Sequence, residues 1–226
     1  MMSEIPCVIL AGGRSARMGA DKCFLDFKAK SLIEWQFEKM SKLFASVFIS
    51  CKADKFGGKF GEKTLIFDEN LEFLSQNSKN SLNSNLNSQS ENLNANLAKP
   101  KREKMADFSS MLALYSVLKA FENKFVFIIG VDTPFVSEKS IQRLILSANE
   151  ALMIVPSVAN RAHFLCALYH SQIAPLCLKC LQNGVHKIST LSQNLPPNAL
   201  KFVEFSDENE FFNLNTPQDY ERIKNA

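Results

Sequence analysis

The sequence predicts a three-layer α/β domain, with helices covering both faces of a mostly parallel, doubly wound sheet. Three observations carry this expectation. Short apolar runs alternate with helical patterns along the chain. One run, Phe125-Val126-Phe127-Ile128-Ile129-Gly130, is apolar without a break, as suits a central parallel strand covered on both faces. The first run, Cys7-Val8-Ile9-Leu10, leads directly into paired glycines, Gly12 and Gly13, the punctuation of a strand-to-loop junction. At 226 residues one such domain, spanning 1–226, is the default, although the length also has room for two small ones.

The elements follow in order. Ile5 to Leu10 is the first strand. Ser31-Leu32-Ile33-Glu34 has capping-box spacing and opens a helix through about Phe44, with Leu32, Trp35, Phe37 and Met40 among its apolar residues. Val47 to Cys51 is the second strand. Gly57, Gly58 and Gly61 mark a turn, and Thr64 to Phe67 is the third strand, ending at Asp68. Residues 75–97 are dominated by Asn and Ser, a composition that buries too little apolar surface to offset ordering entropy. A mobile insertion is therefore expected at about 72–104, although Leu82, Leu86, Leu93 and Leu97 share a helical spacing.

Ser109 caps a helix from Met111 to Phe121, and the strand Phe125–Gly130 follows. Ser137 opens a helix to about Ala148. Ala151–Pro156 and Phe164–Tyr169 are strands. A helix over 171–183 stops at Gly184, a good residue just past a helix end. Lys201–Phe205 is a last strand, and Thr216-Pro217 supplies a cap and first-turn proline for the last helix. The pattern is Rossmann-like, and ligands on such sheets bind at the carboxyl ends of strands. That rule gathers the 10–22 loop, Asp68 and Asp132 on one edge, since each directly follows a predicted strand.

Composition narrows the function. The net charge of +3 is weak, and no basic stripe argues for nucleic acid. The cluster Lys99 to Lys104 adjoins the polar tract and reads as solvated linker. No apolar run approaches the ~20 residues of a membrane span, and the N-terminus lacks a signal-peptide core. Six scattered cysteines suit a reducing compartment, so a cytoplasmic protein is expected. Cys177-x-x-Cys180 has no second pair or nearby histidine to complete a zinc set. His163, His170 and His186 are not spaced for a metal or a triad.

The loop Leu10-Ala11-Gly12-Gly13-Arg14-Ser15-Ala16-Arg17-Met18-Gly19-Ala20-Asp21-Lys22 carries the strongest chemical signal. Adjacent glycines leave backbone amides unshielded and able to meet one anion. Arg14, Arg17 and Lys22 add positive charge, and the set suits a polyphosphate. It is neither a P-loop, which needs Gly-Lys followed by Ser or Thr, nor the Gly-x-Gly-x-x-Gly of dinucleotide folds. Asp132, in Gly130-Val131-Asp132-Thr133-Pro134, is placed to hold Mg²⁺, which takes one or two carboxylates plus substrate phosphates. Lys22 and Arg17 are the candidate charge clamps for transfer at phosphorus. Asp68 is placed for the base or ribose, or for a turn cap. In Asn213-Leu214-Asn215-Thr216-Pro217 the two amides alternate, so an extended segment points both one way.

These residues resemble the molybdenum cofactor guanylyltransferases. Leu10-Ala11-Gly12-Gly13, Arg17-Met18-Gly19 and Asp21-Lys22 are similar to that family's opening, and Asp132-Thr133-Pro134 and Asn213-Leu214-Asn215-Thr216-Pro217 to its later motifs, in the same order. The resemblance implies a nucleotidyltransferase fold. It implies transfer of GMP from GTP to molybdenum-bearing molybdopterin, with release of pyrophosphate. It implies a GTP site at Leu10, Ala11, Gly12, Gly13, Lys22, Asp68 and Asp132, with Asp132 also on Mg²⁺, and a pterin side at Asn213 and Asn215. Partners implied are other cofactor-biosynthesis proteins and acceptor enzymes.

The chain departs from the family where Ser50-Cys51-Lys52 stands for Ser-Ala-Asn. Asp107-Phe108-Ser109-Ser110-Met111 stands for a Gly-Pro-Leu-Ala-Gly loop, and His163 is followed by Phe164 where His-Pro is common. The residues by themselves leave open a nucleotidyltransferase using CTP or a sugar-phosphate acceptor, and a non-catalytic nucleotide-binding module. Intact Lys22 and Asp132 argue against the last.

Overall fold

A computed structural model of the chain describes residues 3–13, 18–69 and 109–224. Arg14, Arg17 and the Asn/Ser-rich tract expected as an insertion lie outside the described residues. The chain order is β1 (Cys7–Leu10), β2 (Asp26–Phe27), β3 (Lys30–Ser31), α1 (Leu32–Ser41), β4 (Val47–Cys51), β5 (Leu65–Phe67), α2 (Ser110–Lys119) and β6 (Phe125–Gly130). It continues with α3 (Glu138–Leu146), β7 (Met153–Val158), β8 (Arg161–Ala162), β9 (Cys166–His170), α4 (Ala174–Gln182), β10 (Leu200–Phe205) and α5 (Pro217–Lys224).

Capping chemistry sets the helix ends much as the sequence implies. The Ser31 amide donates to Glu34 Oε2 at 3.1 Å, the return half of a capping box. Ser109 Oγ accepts from the Leu112 amide at 3.2 Å, and Ser137 Oγ from the Ser140 amide at 3.1 Å. α4 closes in a Schellman motif. The Val185 amide reaches the Cys180 carbonyl at 2.9 Å and Gly184 has φ +73°, which a side chain would strain. α1 is shorter than expected and ends at Ser41. The hairpin β2–β3 was not foreseen: its turn is Lys28-Ala29, both at positive φ, without the glycine or asparagine that signals such turns.

The main sheet has the order β10-β7-β9-β6-β1-β4-β5, with β8 paired to β7. Along this path every strand but β9 runs in one direction, so the sheet is mostly parallel. β6 is central and buried, as its apolar run implies. It is parallel to β1 but antiparallel to β9, so it is not flanked by parallel neighbours on both sides.

Alternation along the strands feeds two cores. Cys7, Ile9, Phe127 and Ile129 face a layer that includes α1, α3 and α5. Val8, Leu10, Val126 and Ile128 face α2 and α4. Phe127 stacks on Phe44 with ring centres 5.3 Å apart, and each fully buried side chain of this size stabilises the fold by roughly 1.5–3 kcal/mol. From β1 the chain winds outward through β4 and β5, then returns to β1's other side for β6. The order therefore reverses between β1 and β6, and that switch point is where such sheets hold ligands.

Candidate functional site

Register brings the candidate residues together. Leu10 pairs with Gly130 on one side and Ser50 on the other, so three strands end in one row. The glycine loop, Asp132 and Asp68 all lie just beyond it. They border one cleft of about 430 Å³, lined also by Lys22, Lys52, Ser109 and Ser110. Leu10, Ala11, Gly12 and Gly13 line it with their neighbours.

The loop's amides are not equivalent. The Ala11 amide donates to the Ser50 carbonyl at 2.9 Å and extends the sheet by one step. Gly12 and Gly13 are exposed, and among the described residues their amides donate to no other backbone group outside regular elements. Of the described amides in this loop, those of the glycines are the ones positioned to meet an anion.

Lys22 is the centre of the arrangement. Its Nζ donates to Asp132 Oδ2 at 2.8 Å and to Asn215 Oδ1 at 3.0 Å. The lysine and aspartate side chains are 14% and 19% exposed, so the pair is largely shielded yet reachable from the cleft. Lys22 begins a single 3₁₀ turn whose cap is Asp21: its Oδ1 accepts from the Cys23 amide at 3.0 Å. Burial alone would raise the Asp21 carboxyl, but hydrogen bonds from Lys55 and Cys23 hold it below the usual carboxylate range.

The loop after β6 is held from several sides. The Leu214 amide donates to the Asp132 carbonyl at 2.9 Å. Thr133 Oγ1 donates to Asn213 Oδ1 at 3.0 Å. Lys39 on α1 donates to the Pro134 and Val136 carbonyls at 2.7 and 2.6 Å. Leu214 is fully buried while the side-chain amides flanking it turn outward from the core, Asn213 to Thr133 and Asn215 to Lys22, which matches the period-two reading. Asn215 is fixed by the helix that follows. Its amide and that of Thr216 donate to Asp219 Oδ2 at 2.9 and 2.8 Å, and the Asp219 amide returns to Thr216 Oγ1 at 3.2 Å.

Asp68 stands across the cleft. Its Oδ1 accepts from Ser50 Oγ at 3.2 Å. Burial pushes its carboxyl up, opposed by that hydrogen bond and by the Lys52 charge. Gly12 lies close, since an added Cβ would come 3.7 Å from Asp68 Oδ2.

Two features escaped the sequence reading. Lys55 reaches the glycine loop from the β4–β5 connection, donating to the Ala11 carbonyl at 2.9 Å and Asp21 Oδ2 at 2.5 Å. No motif marks it. Ser109 and Ser110 line the cleft where the sequence suggested only a helix cap, and both hydroxyls donate to the His186 carbonyl, at 3.3 and 3.2 Å.

Asp132 could offer one ligand to a divalent cation. A carboxylate offers about four acceptor positions, so the bond to Lys22 leaves capacity for an ion. Among the described residues no group of three or more His, Cys, Asp or Glu is gathered to hold one. One carboxylate completed by substrate phosphates fits magnesium.

The chain matches the MobA-like NTP transferase domain over residues 7–196. It is 35% identical to a molybdenum cofactor guanylyltransferase of Campylobacter jejuni over 225 residues, covering 99% of this chain and 97% of that one. A protein of the same name from Helicobacter pylori is 27% identical over 228 residues, covering 98% and 92%. Among solved structures, molybdopterin-guanine dinucleotide biosynthesis protein A from Archaeoglobus fulgidus superposes with a TM-score of 0.68 at 19% identity, covering 98% and 97%. At that identity the last likeness speaks for the fold.

Proposed function

The chain belongs to the MobA-like NTP transferase family and, within it, to the molybdenum cofactor guanylyltransferases; from that premise we propose that it transfers GMP from GTP to molybdenum-bearing molybdopterin, releasing pyrophosphate. The observation that carries this reading is the Lys22 ammonium, held between Asp132 and Asn215 at the end of the glycine loop. A nucleotidyl donor needs a cradle for its phosphates, a cation that meets developing charge, and a carboxylate for a metal. The glycine amides, Lys22 and Asp132, which line one cleft at the β1–β6 switch point, support the reading as candidates for those parts.

In this reading the Gly12 and Gly13 amides and Lys22 hold the triphosphate, and Leu10, Ala11 and Asp68 border the nucleoside. Asp132 and the triphosphate would hold Mg²⁺, which when bound neutralises phosphate oxygens and supports departure of pyrophosphate. A terminal phosphate oxygen of the pterin forms the new bond to the α-phosphorus, and the bond from that phosphorus to pyrophosphate breaks. Such a phosphate is largely dianionic at neutral pH, with a second pKa of about 6, so the site needs no strong base. Lys22 draws charge onto the leaving oxygens. Asn213 and Asn215 face the acceptor. Arg17, outside the described residues, is proposed as a second clamp on the phosphates.

We take the chain as one domain, with the tract at about 72–104 an insertion in it. Six free, buried cysteines support a reducing, cytoplasmic setting, and among the described residues no helix is long and apolar enough to cross a membrane. The partners would be the proteins that supply molybdopterin and accept the dinucleotide cofactor. The test is pyrophosphate release from purified protein given molybdenum-loaded molybdopterin, Mg²⁺ and either GTP or CTP. Release with GTP and not CTP is expected. Release with CTP alone makes it a cytidylyl enzyme, and none with either makes it a binding module.

A further inference from the structure

We infer that Lys55 is a positioning residue that ties together the two ends of the phosphate loop and so preorganises it for nucleotide. This rests on the GTP reading only for its kinetic arm. The ammonium donates to the Ala11 carbonyl, the last residue before the glycines, at 2.9 Å. It also donates to Asp21 Oδ2, the residue before Lys22, at 2.5 Å. One cation therefore joins the points where the chain enters and leaves the loop.

The clamp is itself built. Asp54 accepts from the Phe56 amide at 2.8 Å through Oδ1 and from the Gly58 amide at 3.0 Å through Oδ2, which fixes the turn that presents Lys55. The rings of Phe24 and Phe56 stand 5.9 and 5.6 Å from Nζ and lie against each other at 6.0 Å. They add a cation–π contribution and shield the bond from water. Downstream, Asp21 caps the turn that begins with Lys22 and carries the Cys23 amide.

A half-buried pair near the surface is weak on its own. Here the same ammonium is also spent on the Ala11 carbonyl, and the benefit is that the two described ends of the loop are held before nucleotide arrives. Without it GTP must select the shaped loop from a mixture, and apparent affinity falls by the shaped fraction. Catalysis by the bound complex is untouched, because Lys55 does not border the cleft.

The test compares wild type with Lys55→Met, Lys55→Arg and Asp21→Asn. In Lys55→Met the GTP Kd, by calorimetry, and the GTP KM should rise about tenfold, the scale of one charged hydrogen bond. The kcat and the molybdopterin KM should stay within about twofold, as for a lost ground-state contact. Lys55→Arg should recover most of the loss, since a guanidinium reaches both acceptors. Asp21→Asn should weaken GTP binding in the same sense, and the double variant should show less than the sum of the two effects. A nucleotide-free arm stands apart from the GTP reading: exchange of the Cys23 amide should quicken in Lys55→Met and slow again in Lys55→Arg. Unchanged Cys23 exchange, a failed arginine rescue, additive effects, or a loss confined to kcat would each overturn the clamp. If wild type binds no GTP the functional reading fails, and the exchange arm still decides the clamp.

Discussion

A side chain on Gly130 would collide with the carboxylate of Asp132: an added Cβ lies 2.5 Å from Oδ1. The glycine's backbone is not in the left-handed region, so space rather than conformation demands it. Gly130→Ala should therefore push Asp132 aside while β6 survives. A misplacement near 1 Å costs about 100-fold in rate, so kcat/KM for pyrophosphate release should fall on that order with only a small change in melting temperature. Wild-type turnover in this variant would show that the carboxylate's position does not matter.

Lys22 and Asp132 should each be indispensable to turnover and dispensable to folding. Losing one preorganised charge-stabilising group costs about 10²–10³ in kcat. Lys22→Met is expected to fall in that range, and Asp132→Ala to abolish Mg²⁺-dependent turnover. Both should keep a cooperative thermal transition, because the pair borders a cleft and not a core. Retained Mg²⁺-dependent activity in Asp132→Ala would remove the aspartate from its assigned role.

Asp68 sets binding against stability. Its carboxyl is pushed above the usual range by burial, so at neutral pH the ionised form is less favourable folded than unfolded. That cost is absent at low pH and present once the pH passes the folded pKa. Asp68→Asn should hold or raise the melting temperature of the nucleotide-free protein at pH 7.5 while raising the GTP KM. A clear drop in melting temperature would mean that the Ser50 bond at 3.2 Å outweighs the buried charge.

Stability should fall in alkali because of the thiols. Burial raises the pKa of all six cysteines, with Cys23, Cys166 and Cys177 pushed up to about 12 and Cys51 to about 11. The folded chain then keeps protons that the unfolded chain releases above 9.0, the ordinary thiol value. Their stabilising contribution is whole below that pH and is lost as pH climbs towards the folded values, at up to about 1.4 kcal/mol per pH unit for each group. Lys39 works the other way. Burial lowers it from 10.5 to about 8, so its titration favours the fold between those values. Six thiols outweigh one amine, and the denaturant midpoint under reductant should drop between pH 9 and 11. Cys166→Ala with Cys177→Ala should flatten that slope; an unchanged slope would exclude the thiols as its cause.

Deleting residues 75–97 should leave cooperative unfolding intact. The described chain before the tract is anchored independently of it: the Glu69 amide donates to Ser116 Oγ at 2.8 Å, and Lys119 pairs with Glu69 at 2.7 Å. Loss of a single sharp thermal transition would make the tract structural.

Much of the site was legible because its signals are local. Paired glycines after an apolar run, an aspartate after the most apolar strand, and asparagines at alternate positions each state their chemistry within a few residues. Caps at Ser31, Ser109, Ser137 and Thr216 were equally local. Strand direction was not. The run ending in Tyr169 reads as a strand whichever way it lies, and only the short Arg161–Ala162 return beside β7 places β9 antiparallel. Lys55 was invisible because nothing near it in sequence refers to Ala11 or Asp21, 44 and 34 residues away. The spent amide of Ala11 depends on Ser50 across the sheet, a pairing that composition does not encode.

The Lys22–Asn215 bond joins positions 193 residues apart, and Leu214 seals the carbonyl of Asp132 from the same late segment. On the ribosome, the glycine loop is therefore made long before Asn215 and waits for it. Lys22 gains its bond to Asn215 only after 193 further residues have been added, so a product truncated before that point has the glycine loop but lacks the segment that holds Lys22 and the Asp132 carbonyl.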